Sequence, residues 1–109
     1  MKENFIGEQI KPIKGTFDTH AMAKGEPGLP KRFIWRDKEY EVQTLLEKWK
    51  EASGRKKGGE LYVRKHWYRV ETRNGYIMKI YFERKAKSKT QWKARWWLYS
   101  IKQGGFNVR

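Results

Sequence analysis

The chain has 109 residues, enough for one small domain built around a single hydrophobic core. It contains no cysteine, which excludes disulfides and thiolate metal sites, and no apolar stretch approaches the length of a membrane span. Aromatic residues form 16% of the chain and supply core volume despite a charged fraction of 35%. The first thirty residues lack the apolar run of a signal peptide, so we expect a cytoplasmic protein with no membrane partner.

Basic residues are concentrated in the second half of the chain. The net charge is +14, and residues 53–109 carry sixteen basic and three acidic side chains. Such an asymmetry favours a polyanionic partner, nucleic acid above all. The alternative is a solvated basic surface that only keeps the protein in solution.

Residues 1–30 are expected to form an irregular lead-in packed on the sheet, because glycine and proline interrupt this segment too often for long regular structure. Within it, Phe5, Ile6, Ile10 and Ile13 are candidates for a short strand that pairs with the sheet.

A first hairpin is predicted for residues 33–42, with a two-residue turn at Asp37 and Lys38. This register places Trp35 opposite Tyr40 and separates an aromatic face from a charged face. The following residues, 42–53, fit either a helical stripe or a strand with a bulge that passes into a loop, and we favour the strand.

A second hairpin is predicted around a three-residue loop, Arg73-Asn74-Gly75, with a glycine bulge at Gly75. This loop length is chosen because it gives the hairpin one apolar face, with Tyr68 and Val70 opposite Ile80 and Met78. A final strand is predicted over residues 95–102, with aromatic residues on both faces.

The predicted fold is mainly β. It is a five-stranded antiparallel meander over residues 31–103, strongly curved or closed into a small barrel, followed by a tail at residues 104–109. The whole chain is expected to form a single domain.

The register of the second hairpin predicts a binding surface on its outer face, where Trp67 lies opposite Tyr81 and Arg69 opposite Lys79. Rings that stack on bases beside cations that neutralise phosphates are typical of single-stranded nucleic-acid binding. Basic loop residues are expected to extend this surface: Arg55, Lys56, Lys57, Arg84, Lys85, Lys87, Lys89, Lys93 and Arg95. The alternative is that residues 1–30 or 42–53 cover the rings and that Glu71 neutralises the cations.

No catalytic, cofactor-binding or metal-binding set is predicted. The only histidines, His20 and His66, have no ligand spacing around them, and no serine occurs in the context of an activated nucleophile. We therefore expect a binding protein without enzymatic activity and without a cofactor.

Several segments resemble a bacterial domain family of unknown function: residues 29–36, Tyr40-Glu41-Val42, residues 66–72, Gly75 and Trp97-Leu98-Tyr99. The lead-in Phe5-Ile6-Gly7-Glu8 is similar to short stand-alone members. Related domains also end mutagenesis proteins resembling Y-family DNA polymerases. The resemblance therefore implies a link to DNA repair or translesion synthesis, and it supplies no functional residues.

Two functions compete on this basis. The first is nucleic-acid binding, to DNA or RNA, which weakens steeply with salt as counterions are released. The second is a protein-interaction adaptor in a repair or polymerase complex, with an apolar patch near Trp49, Trp92 or Trp96 that retains binding at moderate salt. A third reading, a small-molecule or regulatory domain, requires a concave pocket.

Overall fold

The computed structural model describes residues 3–52, 63–83 and 95–104. They form seven antiparallel strands: β1 (Asn4–Gln9), β2 (Lys11–Pro12), β3 (Arg32–Trp35), β4 (Lys38–Ala52), β5 (Val63–Thr72), β6 (Tyr76–Glu83) and β7 (Trp96–Gln103). One short helix, α1 (Thr19–Ala23), lies between β2 and β3. In the described part of the chain, no helix is long and apolar enough to cross a membrane.

The strands form one curled sheet in the order β1-β7-β6-β5-β4-β3-β2. The predicted mainly-β, strongly curved antiparallel fold is confirmed, with seven strands rather than five. The two additional strands come from the lead-in, where a strand near Phe5 and Ile10 was expected. Only Ile10 separates β1 from β2, yet β1 pairs with β7 and β2 pairs with β3 at the opposite edge of the sheet. The N-terminal segment therefore joins the two edges of a half-barrel.

The core fills the concave side of this sheet. Strand periodicity directs Phe33, Tyr40, Val70, Met78 and Leu98 inward, and each of them is buried. The remaining buried members of this cluster are Ile10, Trp35, Val42, Tyr68, Ile80 and Trp96. Large aromatic side chains thus supply much of the core of a chain that is poor in aliphatic residues.

The first hairpin has the predicted apolar face but a different turn. Phe33 pairs with Tyr40 and Trp35 with Lys38, so the two turn residues are Arg36 and Asp37 rather than Asp37 and Lys38. Both have positive φ angles, 53° and 62°, as a type I′ turn requires. Each residue of β3 therefore pairs with a β4 residue two positions earlier than predicted. An even shift leaves the same side chains on the core face.

The strand interpretation of residues 42–53 is correct over Val42–Ala52, since β4 continues to Ala52 and pairs with β5 throughout. The ladder shifts register between Val42 and Thr44 and again between Leu45 and Glu47. These two interruptions explain why the sequence of this strand lacks a clean alternation.

The second hairpin has the predicted register. Tyr68 pairs with Ile80 and Val70 with Met78, and Gly75 at φ 91° closes the three-residue loop. A further bulge between Lys79 and Ile80 places Tyr99 out of register in β7. The last strand carries aromatic residues on both faces, because Trp96 pairs with Phe82 on the core side and Trp97 with Tyr81 on the outer side.

One carboxylate, that of Glu8, links β1 to the first hairpin. Glu8 accepts hydrogen bonds from Trp35 Nε1 at 2.8 Å and from Arg36 Nε at 2.9 Å, and Arg36 Nη2 lies 2.7 Å from its second oxygen. These donors, first Arg36 and then Trp35, lower the pKa of Glu8 below its ordinary value of 4.5.

We expect Glu8→Gln to destabilise the protein at neutral pH, with a difference from wild type that shrinks in acid. Because the folded-state pKa of Glu8 is lowered, its contribution is present above pH 4.5 and is lost as the pH falls through the folded value. Urea unfolding of both proteins across a pH series measures the difference. A difference that stays constant from neutral pH to below pH 4 would show that ionisation of Glu8 is irrelevant.

We expect Asp37→Gly to stabilise the protein by about 0.5–1 kcal/mol, because left-handed backbone costs an L-residue roughly 1–2 kcal/mol and glycine loses part of that gain to its greater unfolded-state entropy. Asp37→Ala is the matched control, since it removes the same charge and keeps the Cβ atom. Equal urea midpoints for the two variants would assign the effect to charge rather than to the turn.

Candidate functional site

Four aromatic side chains form a row across the outer face of the sheet, and we call Trp49, Trp67, Tyr81 and Trp97 the aromatic row. They are consecutive cross-strand partners on β4, β5, β6 and β7. Trp49 and Trp67 stack with ring centroids 5.7 Å apart and planes inclined by 2°. The next centroid distances are 4.6 Å to Tyr81 and 6.5 Å from Tyr81 to Trp97. Each such pair contributes about 0.5–1.5 kcal/mol beyond burial, so the row is a rigid surface.

Trp67 itself is covered within this row. It is 8% exposed, and its Nε1 donates to Glu51 Oε1 at 2.9 Å. Trp49 stacks on one side of it, and the ring of Tyr99 meets it edge-on at 5.1 Å. The alternative that residues 42–53 cover this ring therefore agrees with the position of Trp49. Three rings around Trp67 are more than a third exposed: Trp49 at 37%, Tyr99 at 38%, and Phe5 at 68%, which meets Tyr99 edge-on at 5.0 Å.

Neither Trp49 nor Tyr99 belongs to the nucleic-acid site predicted from sequence. Trp49 comes opposite Trp67 only through the register shifts in β4, and Tyr99 is displaced by the bulge in β7. A prediction from two-residue alternation cannot locate the register shifts in β4 or the bulge in β7. The available signal was composition, since both residues are large aromatic side chains in segments predicted as strands.

Two cations occupy the next row of the same face. Arg69 lies opposite Lys79, as the hairpin register predicts, and Ser100 follows opposite Lys79 on β7. We call Arg69, Lys79 and Ser100 the basic row. Facing like charges are destabilising, and here carboxylates from other strands relieve the repulsion. Glu47 lies 3.1 Å from Arg69 and Glu3 lies 3.2 Å from Lys79, so these residues rather than Glu71 neutralise the pair.

A further cation, Lys65, which is not among the site residues predicted from the sequence, lies on the side of the aromatic row away from the basic row. The ammonium of Lys65 is 4.7 Å from the ring centroid of Tyr81 and 5.9 Å from that of Trp67. Burial, followed by the nearby Glu83 and Glu51, raises the pKa of Tyr81, so its phenol stays neutral.

Of the predicted basic loop residues, Arg95 alone lies in the described structure. Its guanidinium carbon is 5.7 Å from the ring centroid of Phe82, a side chain that packs against the core. The others lie outside the described residues: Arg55, Lys56, Lys57, Arg84, Lys85, Lys87, Lys89 and Lys93. Their segments connect Ala52 to Val63 and Glu83 to Arg95, and these four flanking residues all lie at one end of the sheet.

An open cleft of about 370 Å³ lies beside the solvent-facing end of the aromatic row. It is lined by Trp49 and Trp67 together with Glu26, Lys48, Lys50, His66 and Tyr68. Its volume is near the lower limit of small-molecule sites. Nowhere in residues 3–52, 63–83 and 95–104 do three His, Asp or Glu side chains come together as a metal site would require.

Comparison with known proteins finds no curated protein and no solved structure that matches this chain. A model of domain of unknown function DUF6504 matches residues 1–103, nearly the whole chain. The protein therefore belongs to the DUF6504 family of domains of unknown function.

Proposed function

We propose that this domain binds single-stranded nucleic acid on its outer face. The observation that carries the proposal is the juxtaposition of the aromatic row and the basic row on adjacent levels of β5, β6 and β7. Single-strand binders combine rings that stack on successive bases with cations that follow the phosphates.

The stacking contacts are assigned to Trp49 and Tyr99, the two rings in contact with Trp67 that are more than a third exposed. Trp67 lies between them and holds both in place, through the parallel contact with Trp49 and the edge contact with Tyr99. A ring held in this way loses little conformational freedom when a base stacks on it. Base–aromatic stacking contributes about 1–3 kcal/mol per base.

Phosphate contacts are assigned first to Lys65, which lies over the rings, and to the basic row beside them. The surrounding charge supports the same partner. The sequence segments 53–62 and 84–94 together carry eight basic residues and one acidic residue. The residues that flank both segments lie at the end of the sheet that carries Lys65, so the charge of the segments adds to the attraction of a polyanion.

The cellular setting follows from the resemblance to domains that end polymerase-like mutagenesis proteins. We propose a role in DNA repair or translesion synthesis, where single-stranded DNA is exposed. Discrimination between DNA and RNA then depends on contacts to the sugar.

We expect Trp49→Ala to weaken binding of a labelled thymidine oligonucleotide by roughly 5- to 150-fold, because one stacking platform is lost. Fluorescence anisotropy across a salt series is the measurement, with circular dichroism to verify the fold. Met22→Ala is the matched control, since Met22 is 51% exposed on α1 and does not belong to the site. Unchanged affinity in folded Trp49→Ala protein would remove Trp49 from the interface.

A second function, protein interaction, is favoured by one separate observation. β3 pairs with β4 only over Lys38–Glu41, while β4 continues to Ala52. Among the described residues, the outer edge of β4 beyond Val42 therefore has no neighbouring strand, and Leu45 and Leu46 are 43% and 40% exposed. An unpaired edge with exposed apolar side chains suits the addition of an extended peptide.

We expect the double variant Leu45→Ser with Leu46→Ser to separate the two functions. If nucleic acid is the partner, oligonucleotide affinity stays within about twofold of wild type, because neither residue belongs to the aromatic row or the basic row. Anisotropy with the same oligonucleotide measures this. A large loss of affinity would instead place the nucleic acid along the edge of β4.

A further inference from the structure

A small cleft on the outer face gathers cations from three adjacent strands. It has a volume of about 160 Å³ and is lined by Arg69 of β5, Lys79 of β6, and Ser100 and Lys102 of β7, with Ile77 and Glu3. Arg69, Lys79 and Ser100 are consecutive partners across the sheet, and Lys102 follows one level further. Three cations and a hydroxyl therefore surround one space large enough for a tetrahedral oxyanion, since a water occupies only about 30 Å³.

Two of these cations already bind carboxylates of the chain itself, Arg69 with Glu47 and Lys79 with Glu3. One carboxylate oxygen of Glu3 accepts a hydrogen bond from Ser100 Oγ and lies 3.2 Å from Lys79 Nζ. Ser100 is only 2% exposed, so its hydroxyl is fixed in direction toward this point. Ser100 and Lys79 lower the pKa of Glu3, which keeps its carboxylate charged at neutral pH.

Glu3 is poorly anchored compared with the groups around it. It precedes β1, and its side chain is 40% exposed. An exposed ion pair of this kind contributes little net stability. A phosphate carries more acceptor oxygens than a carboxylate and makes strong charge-assisted hydrogen bonds with arginine, lysine and hydroxyl donors.

We propose that Arg69, Lys79, Lys102 and Ser100 form a phosphate-binding site that the carboxylate of Glu3 occupies in the unliganded protein. Binding of a phosphate displaces Glu3 and leaves Ser100 Oγ and Lys79 Nζ as donors to the phosphate oxygens. The inference rests on the proposed function for the source of the phosphate, a nucleic-acid strand whose bases stack on the neighbouring aromatic row. Glu3 then acts as a competing internal anion that weakens phosphate binding.

The test compares wild type, Glu3→Gln and Glu3→Gln combined with Ser100→Ala, all as full chains. Glu39→Gln is the matched control, because it removes one negative charge from a 53% exposed side chain outside the cleft. Inorganic phosphate is titrated at constant ionic strength, and amide chemical shifts in ¹H–¹⁵N spectra give the affinity. The labelled thymidine oligonucleotide is titrated in parallel by anisotropy.

We expect Glu3→Gln to tighten phosphate binding roughly two- to fivefold relative to both wild type and Glu39→Gln, because no internal ion pair has to be broken. The shifted amides should be those of Arg69, Lys79 and Ser100. Adding Ser100→Ala, or Lys79→Gln if Ser100→Ala perturbs the core, should reverse the gain.

Equal affinities of Glu3→Gln and Glu39→Gln would overturn the proposal, and so would shifts confined to other parts of the sheet. Tighter phosphate binding by Glu3→Gln without oligonucleotide binding would support the phosphate site and reject nucleic acid as its source. Oligonucleotide binding that is insensitive to Glu3, Lys79 and Ser100 would support the proposed function and reject this cleft as part of it.

Discussion

The architecture depends on an N-terminal segment, β1 and β2, that belongs to both edges of the sheet. β1 pairs with β7 and β2 pairs with β3, and Ile10 between them is 1% exposed and donates its amide N–H to the carbonyl of Trp96 at 3.0 Å. A curved sheet without this segment would expose two edges and the open side of its core. Glu8 adds a polar fastening to the same segment through Trp35 and Arg36.

Closing the sheet in this way separates two kinds of aromatic residue. Rings such as Phe33 and Tyr40 fill the concave side, where burial of apolar surface stabilises the fold. On the convex side, Trp49, Trp67 and Tyr81 contact each other instead of the core. The proposed function uses these outer rings, which lie apart from the core, as the binding surface.

Charge is divided between the strands and the segments that connect them. On the outer face, each cation of the basic row is matched by a carboxylate, Glu47 for Arg69 and Glu3 for Lys79. Much of the excess positive charge lies instead in the sequence segments 53–62 and 84–94. The proposed function assigns the long-range attraction of a polyanion to these segments.

The sequence by itself determined the fold class, the apolar face of each hairpin and the facing of Trp67 with Tyr81 and Arg69 with Lys79. These features follow from two-residue periodicity and from the loop at Gly75, which are local. Only the tertiary structure decided that Trp49 covers Trp67, because that contact depends on bulges in β4 that shift its register. The structure alone also brought Glu3 to Ser100, a contact across 97 positions that closure of the sheet creates and no local pattern encodes.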